Sequence, residues 1–444
     1  MTSQQTSTSI RPAWANRNYR VEAFDLWHYC SGHLYTPYIR IRVDLDGHLD
    51  EVVLAEALEQ SCVTFPLIAC AFDTTPRIRP RWVPRVDAAR EILQVIEIPE
   101  GECREDVVQR ALAVVPDLEK GPQLRVLLVR DSTRDTICQV MNHMLCDGIG
   151  FQQYFGEVAR LYSRIAEGLD PSPSPFVRQR GVGPVLKGFG LHVRRFTPAR
   201  MGFPTTEVSN EHLRATGFAF ESGPLSLLTV SLPAEDFNHI RVAAKTLGFT
   251  VNDLLVAALA LAWYRVHGVS EFMMPCTMSL RGFAPRGAKM GITNFTTQCL
   301  CYMKLAPDDT IEDIMARLVA PMKVYKQGLP GMSQLIACWL VTRLPFRRMQ
   351  RTLKNIATTF PLCVTNAGII DENAARFDNV SVRSIHPSAP APFSPSFLAT
   401  ISTFRGELTI AFSVEGDDVA KDFIRTVLAT TIEELRNFGA RHPA

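Results

Sequence analysis

Hydrophobic positions along the chain change period several times, and each change marks a predicted element. Residues 39–45, IRIRVDL, alternate apolar and polar side chains with the period of two expected of a strand. Residues 50–68, DEVVLAEALEQSCVTFPLI, switch to helical spacing, with Asp50 and Glu51 where acidic side chains suit a first turn. QLRVLLVRDSTRDTICQVMNH (123–143) reads as two apolar strands joined by a polar turn at 131–135. FQQYFGEVARLYSRIAEG (151–168) is amphipathic, and Gly168 closes it.

Periodicity then stops. Residues 171–224 are rich in Pro and Gly, and no acid lies between Asp170 and Glu207. Arg178, Arg180, Lys187, Arg194, Arg195 and Arg200 fall there, so the stretch is expected to be a basic interdomain linker. Order resumes with a strand at 225–233 and helices at 234–248 and 250–268, the latter capped near Thr250 or Asn252 and ended by Gly268. Strands at 271–282 and 296–305, a helix at 310–328, strands at 361–369 and within 397–416, and a helix at 417–438 follow. The pattern is mixed α/β in two comparable halves, with no sequence repetition to indicate duplication. The division expected is a disordered 1–17, a first domain 18–170, the linker 171–224 and a second domain 225–444.

Composition narrows the function. The 444 residues carry a net charge of only +2 and no zinc-finger, helix-turn-helix or RNA-recognition signature, so no nucleic-acid partner is expected. The eleven cysteines are scattered through apolar runs without a CxxC, as reduced small hydrophobes would be. The first twenty residues lack a signal-peptide core, and the longest apolar run, 254–264, is about half a membrane span. A soluble, cytoplasmic monomer is expected.

The chemistry concentrates in VMNHMLCDGIG (140–150). Strand alternation puts Ile137, Gln139, Met141 and His143 on one side and Cys138, Val140 and Asn142 on the other. Both sides are largely apolar, so His143 leaves a strand buried on both faces. Three readings fit these residues: a hydrogen-bonded core histidine, a metal ligand paired with Asp147, or a general base. The metal reading lacks further ligands at a recognisable spacing. Imidazole, with an ordinary pKa near 6.5, suits a base at neutral pH. Spacing alone does not choose between base and core residue.

HMLCDG resembles the HxxxDG motif of the coenzyme-A-dependent acyltransferase superfamily, which includes chloramphenicol acetyltransferase, alcohol and wax-ester acyltransferases, mycobacterial lipid acyltransferases and nonribosomal condensation domains. TVNDLLVAALALAW (250–263), CTMSLRG (276–282), MGITNFTTQ (290–298) and CVTNAG (363–368) resemble further segments of these proteins in the same order, spread over most of residues 20–435. Two departures stand out: Asn142 replaces the histidine that many members have before the motif, and the plant-type DFGWG is absent.

The resemblance implies two chloramphenicol-acetyltransferase-like domains, each a mixed sheet with helices, arranged as a V around a central tunnel. His143 would be the catalytic base, taking a proton from an alcohol, or an amine in condensation-type members, as it attacks a thioester, with no acyl-enzyme. Asp147 would support the site through a salt bridge to Arg281, itself as readily an exposed surface charge. Gly148 would supply the turn, Asn142 would contact substrate, and Asn294 and Thr296 would bind substrate or stabilise the oxyanion. No tightly bound cofactor is implied; acyl-CoA or a phosphopantetheine thioester would be the co-substrate. An acyl carrier protein is a partner to expect, with a small-molecule or lipid acceptor. An inactive binding protein of the same fold is the non-enzymatic alternative. The basic linker, and the mix of Arg343, Arg347, Arg348, Arg351 and Lys354 with Trp339, Leu344 and Phe346 in 338–357, would suit coenzyme-A phosphates, an acidic carrier or peripheral contact with anionic lipid, or only a solvated surface.

Overall fold

Asp135–Asn142 is buried at every position and forms the middle of a five-stranded sheet. The order across it is Val382–Ser388, Tyr38–Leu45, Asp135–Asn142, Leu124–Arg130, Leu93–Glu97. Neighbours are antiparallel except the last pair. This computed structural model describes residues 12–75, 79–189, 216–327, 338, 340–356 and 359–443.

The predicted alternation sets the two faces. Ile39, Ile41 and Met141 share a core with Leu54, Leu58, Tyr154 and Val158 from helices Glu51–Thr64 and Gly148–Ala166. Leu127, Val129 and Cys138 face the opposite way, onto Val108 and Leu112 of helix Arg104–Ala113. Asp50 caps its helix by accepting from the Val52 and Val53 amides at 2.8 and 3.1 Å. That helix stops at Thr64, short of the expected 68, because a 3-10 turn beginning at Pro66 follows it.

A second, six-stranded sheet has the order Thr296–Lys304, Glu271–Ser279, Leu362–Ile369, Phe397–Phe404, Glu407–Gly416, Ser222–Leu232. Helix Val251–His267, buried from Asp253 through Trp263, packs on it beside Asp418–Arg441. Thr250, not Asn252, is its N-cap, in a reciprocal box with Asp253, and Gly268 ends it at φ 82°. Glu271–Ser279 pairs along its whole length with Thr296–Lys304, but with Leu362–Ile369 only at Cys276–Val364. Just beyond that junction Thr277 and Thr365, their hydroxyls 2.7 Å apart, line a cavity.

Two features depart from the expected division. Val382–Ser388 comes from the second half of the chain yet forms the edge of the first sheet, against Tyr38–Leu45. Arg180, expected on an exposed linker, is buried with its guanidinium on Asp25, at 2.9 and 3.1 Å. The segment is fixed there because Val182 and Val185 pack with Phe24, Leu280 and Phe295. Arg194, Arg195 and Arg200 lie outside the described residues, as do residues 1–11 of the expected disordered start.

Candidate active site

His143 follows the last residue of the central strand, and its backbone N–H donates to the Pro37 carbonyl at 2.8 Å. Its imidazole lines a cavity of about 240 Å³ to which both halves contribute. That is many times the ~10–15 Å³ one water needs, so the space accommodates an organic group. The walls are mostly apolar, with Trp27, Phe151 and Phe360 among them, interrupted by hydroxyls of Tyr35, Thr277 and Thr365.

The His143 Nδ1 is buried, and among the described residues no partner meets hydrogen-bond geometry with it. Burial holds the imidazole below its ordinary pKa, against the opposing influence of the His143 and Cys146 carbonyls, Asp147 and Asn294. The ring is therefore neutral near pH 7, the form a base requires. His28, from helix Ala23–Cys30, stacks on it with centroids 3.9 Å apart and an interplanar angle of 21°. The His28 Nδ1 lies 2.8 Å from the Tyr35 hydroxyl. Burial, and then the neighbouring His143, keep His28 well below its ordinary pKa. Sequence reasoning missed His28. The short helix that carries it has no extended periodicity, and its histidine sits in no recognisable motif.

Asp147 fixes the turn after His143. Its Oδ1 accepts from the Gly150 amide at 2.9 Å, capping helix Gly148–Ala166. Arg281 donates to both carboxylate oxygens, at 2.7 and 2.9 Å, and to the Thr293 carbonyl at 2.9 Å. The Phe295 amide and Thr296 hydroxyl donate to Oδ2 at 2.8 and 2.9 Å. Burial alone would raise this carboxyl, but Arg281 and the hydrogen bonds bring it below the usual carboxylate range. An aspartate engaged so completely has no free oxygen for a metal.

The remaining expected site residues take different parts. Asn294 donates from Nδ2 to the His143 and Met144 carbonyls at 2.8 and 3.2 Å, so it holds the backbone at His143. The Thr296 side chain reaches the cavity, but its hydroxyl proton goes to Asp147. Neither offers a spare donor to substrate. Asn142 is buried, donating to Gln123 Oε1 at 3.0 Å and accepting from the Met144 amide at 3.0 Å. Its side chain leaves the strand opposite to His143, as alternation requires, which corrects its assignment to substrate contact. Gly148 is corrected too: it is not in the left-handed region, and a Cβ there would meet open space at the cavity. The close approach is at Gly150, whose Cβ would lie 2.8 Å from Cys146 Cβ and 3.3 Å from the Thr293 carbonyl.

Among the described residues Cys363 is the one cysteine in the cavity wall, and burial pushes its thiol up to about 12. Thiolate is the nucleophilic form, so this side chain is inert at neutral pH. Two other segments singled out in the sequence meet beside the cavity, where Asn366 Nδ2 lies 3.4 Å from Asn252 Oδ1. Gln152 joins them to the His143 half by donating to the Ala367 carbonyl at 3.1 Å.

No family model matches the chain. An uncharacterized protein of Mycobacterium tuberculosis, found in each of two strains, is 25% identical over 354 residues, covering 76% of this chain and 79% of the relative. Solved structures agree over nearly the whole length. Polyketide synthase associated protein 5 from Mycobacterium tuberculosis superposes with a TM-score of 0.65 at 13% identity, covering 98% of this chain and 100% of that one. The first condensation domain of the calcium-dependent antibiotic synthetase gives 0.66 at 14%, covering 97% and 98%. Trichothecene 15-O-acetyltransferase from Fusarium sporotrichioides gives 0.62 at 16%, covering 95% and 94%.

Proposed function

The chain has the fold of condensation domains and acetyltransferases, and we propose that it is an acyltransferase moving an acyl group from a thioester to an alcohol. His143 is the general base. The observation that carries this reading is the His143 imidazole, held below its ordinary pKa by burial, in the wall of a largely apolar cavity built by both halves.

His143 takes the acceptor proton as the hydroxyl oxygen attacks the thioester carbonyl. The C–O bond forms, the C–S bond breaks, and the proton passes to the departing thiolate, which leaves as the thiol. The Asp147–Arg281 pair and Asn294 hold the turn from which His143 projects, so the base is positioned before substrate arrives. His28 packs its ring face and supports its orientation. Transfer is direct, with no acyl-enzyme, and Cys363 stays protonated. The thioester is acyl-CoA or an acyl phosphopantetheine on a carrier protein, and the apolar walls suit an aliphatic acyl group or a lipid-like acceptor.

Single-turnover reactions with acyl-CoA and panels of alcohols and amines test the reading. Ester formation by the wild-type chain, reduced at least 100-fold in His143→Ala, is expected, since positioned acid–base catalysis contributes roughly 10²–10⁴-fold. Full activity in His143→Ala would sink the assignment. Amide formation alone would move the acceptor class to amines.

A further inference from the structure

No acidic residue lies between Asp313 and Asp371. Helix Phe346–Ile356 falls within this stretch and sets Phe346, Met349 and Leu353 into the first core, with Phe346 stacked on Tyr29 at 6.0 Å. The apolar stripe is thereby covered. Arg347, Arg348, Arg351 and Lys354 remain exposed, and none pairs with a carboxylate among the described residues. By contrast, Arg42, Arg317 and Arg441 on other surfaces meet Glu105, Asp309 and Glu312.

Beside these cations the chain exposes Leu340 and Leu344, to 53% and 39%. A second cavity, about 580 Å³, opens here. Leu344, Phe346 and Met349 line it together with Arg20 and Arg79, and Phe24 lines both this space and the His143 cavity. Charge alone would suit an acidic protein equally well. Exposed leucines beside four cations that pair with no carboxylate among the described residues, next to a cavity with both kinds of wall, suit an amphiphile that needs both.

We propose that this face docks the protein on an anionic lipid bilayer. Arg347, Arg348, Arg351 and Lys354 would meet the headgroups, and Leu340 and Leu344 the acyl boundary. The inference does not depend on the acyl-transfer reading. On that reading, it places the cavity one helix, Ala23–Cys30, behind the membrane-facing surface.

Co-sedimentation of the full chain with vesicles tests it, comparing phosphatidylglycerol–phosphatidylcholine mixtures with pure phosphatidylcholine. Binding to the anionic vesicles alone, weakening as salt rises, is expected. Arg347→Glu, Arg348→Glu and Arg351→Glu combined should reduce it about 100-fold or more. Leu340→Ser with Leu344→Ser should reduce it roughly tenfold while leaving its salt dependence in place. Unchanged circular dichroism and melting temperature establish that the variants fold. No vesicle binding, equal binding to neutral vesicles, or undiminished binding by the triple variant would overturn the proposal. So would charge-dependent binding to an acidic acyl carrier protein without vesicle binding, which would assign the face to a protein partner.

Discussion

The rings of His28 and His143 lie face to face, 3.9 Å between centroids, in the wall of the cavity shared by the two halves. Two imidazoles at that separation cannot both carry a proton without strong repulsion, and burial already disfavours charge on either. Both folded-state pKa values lie below the unfolded value of about 6.5. The unfolded chain therefore binds more protons as pH falls through that region, and folding stability drops with it. His28→Phe keeps the ring contact but removes one titrating group. Its melting temperature should fall less than that of the wild type between pH 7.5 and 5.5, measured calorimetrically. An unchanged pH dependence would refute the coupling.

On the proposed acyl-transfer reading, the same lowered pKa of His143 would set the acid limb of activity. The rate should stay level through neutral pH and fall only below about 6.5, as the base becomes protonated. Pre-steady-state acyl transfer across pH 5–8 measures this. A limb centred above pH 7 would mean that a different group titrates.

Arg281 is joined to Asp147 by both arms of its guanidinium. Arg281→Ala leaves a buried carboxylate facing only neutral donors and should destabilise the fold by about 3–5 kcal/mol in chemical denaturation. Arg281→Lys should recover only part, because a single ammonium cannot meet both oxygens at once. Near-complete recovery by lysine would show that charge, not geometry, holds the turn.

Glycines two residues apart should respond oppositely. Gly150→Ala drives a methyl into Cys146 and the Thr293 carbonyl and should cost roughly 1–3 kcal/mol. Gly148→Ala places its methyl in open space at the cavity, so stability should hold. An effect of Gly148→Ala would appear in the KM for the acceptor. Equal melting temperatures for the two variants would count against this account of the turn.

Replacing Asn142 by histidine, to restore the doublet found in many chains with this motif, should bring no gain in activity. The side chain it replaces bonds Gln123 and the Met144 amide rather than the cavity. Losing those buried bonds should cost about 1–3 kcal/mol. Faster transfer in Asn142→His would contradict the strand geometry.

Period and caps made much of the fold legible. The alternation of 39–45 and the apolar run ending at Asn142 became neighbouring strands, and Thr250 and Gly268 bound the helix they were expected to bound. His143 and Asp147 stood out because a motif spaced them on one turn. What stayed hidden depends on distance along the chain. Nothing near Ala23–Cys30 shows that its histidine will meet one 115 residues later. Composition placed Arg180 among exposed linker cations, because only the fold brings Asp25 and the Leu145 carbonyl to it. Asn294 and Thr296 were assigned to substrate, since sequence does not show that the His143 carbonyl and Asp147 occupy their donors.

The strand Val382–Ser388 bears on how this chain folds as it is synthesised. Until residue 388 has left the ribosome, Tyr38–Leu45 has a bare edge, with the hydrogen-bonding groups that would face Val382–Ser388 open to any other extended segment. The half that holds His143 is therefore completed after most of the other half has been made. Severing the chain in 190–215 would give an amino-terminal piece prone to edge-to-edge aggregation, and the carboxyl-terminal piece would carry the strand that protects it.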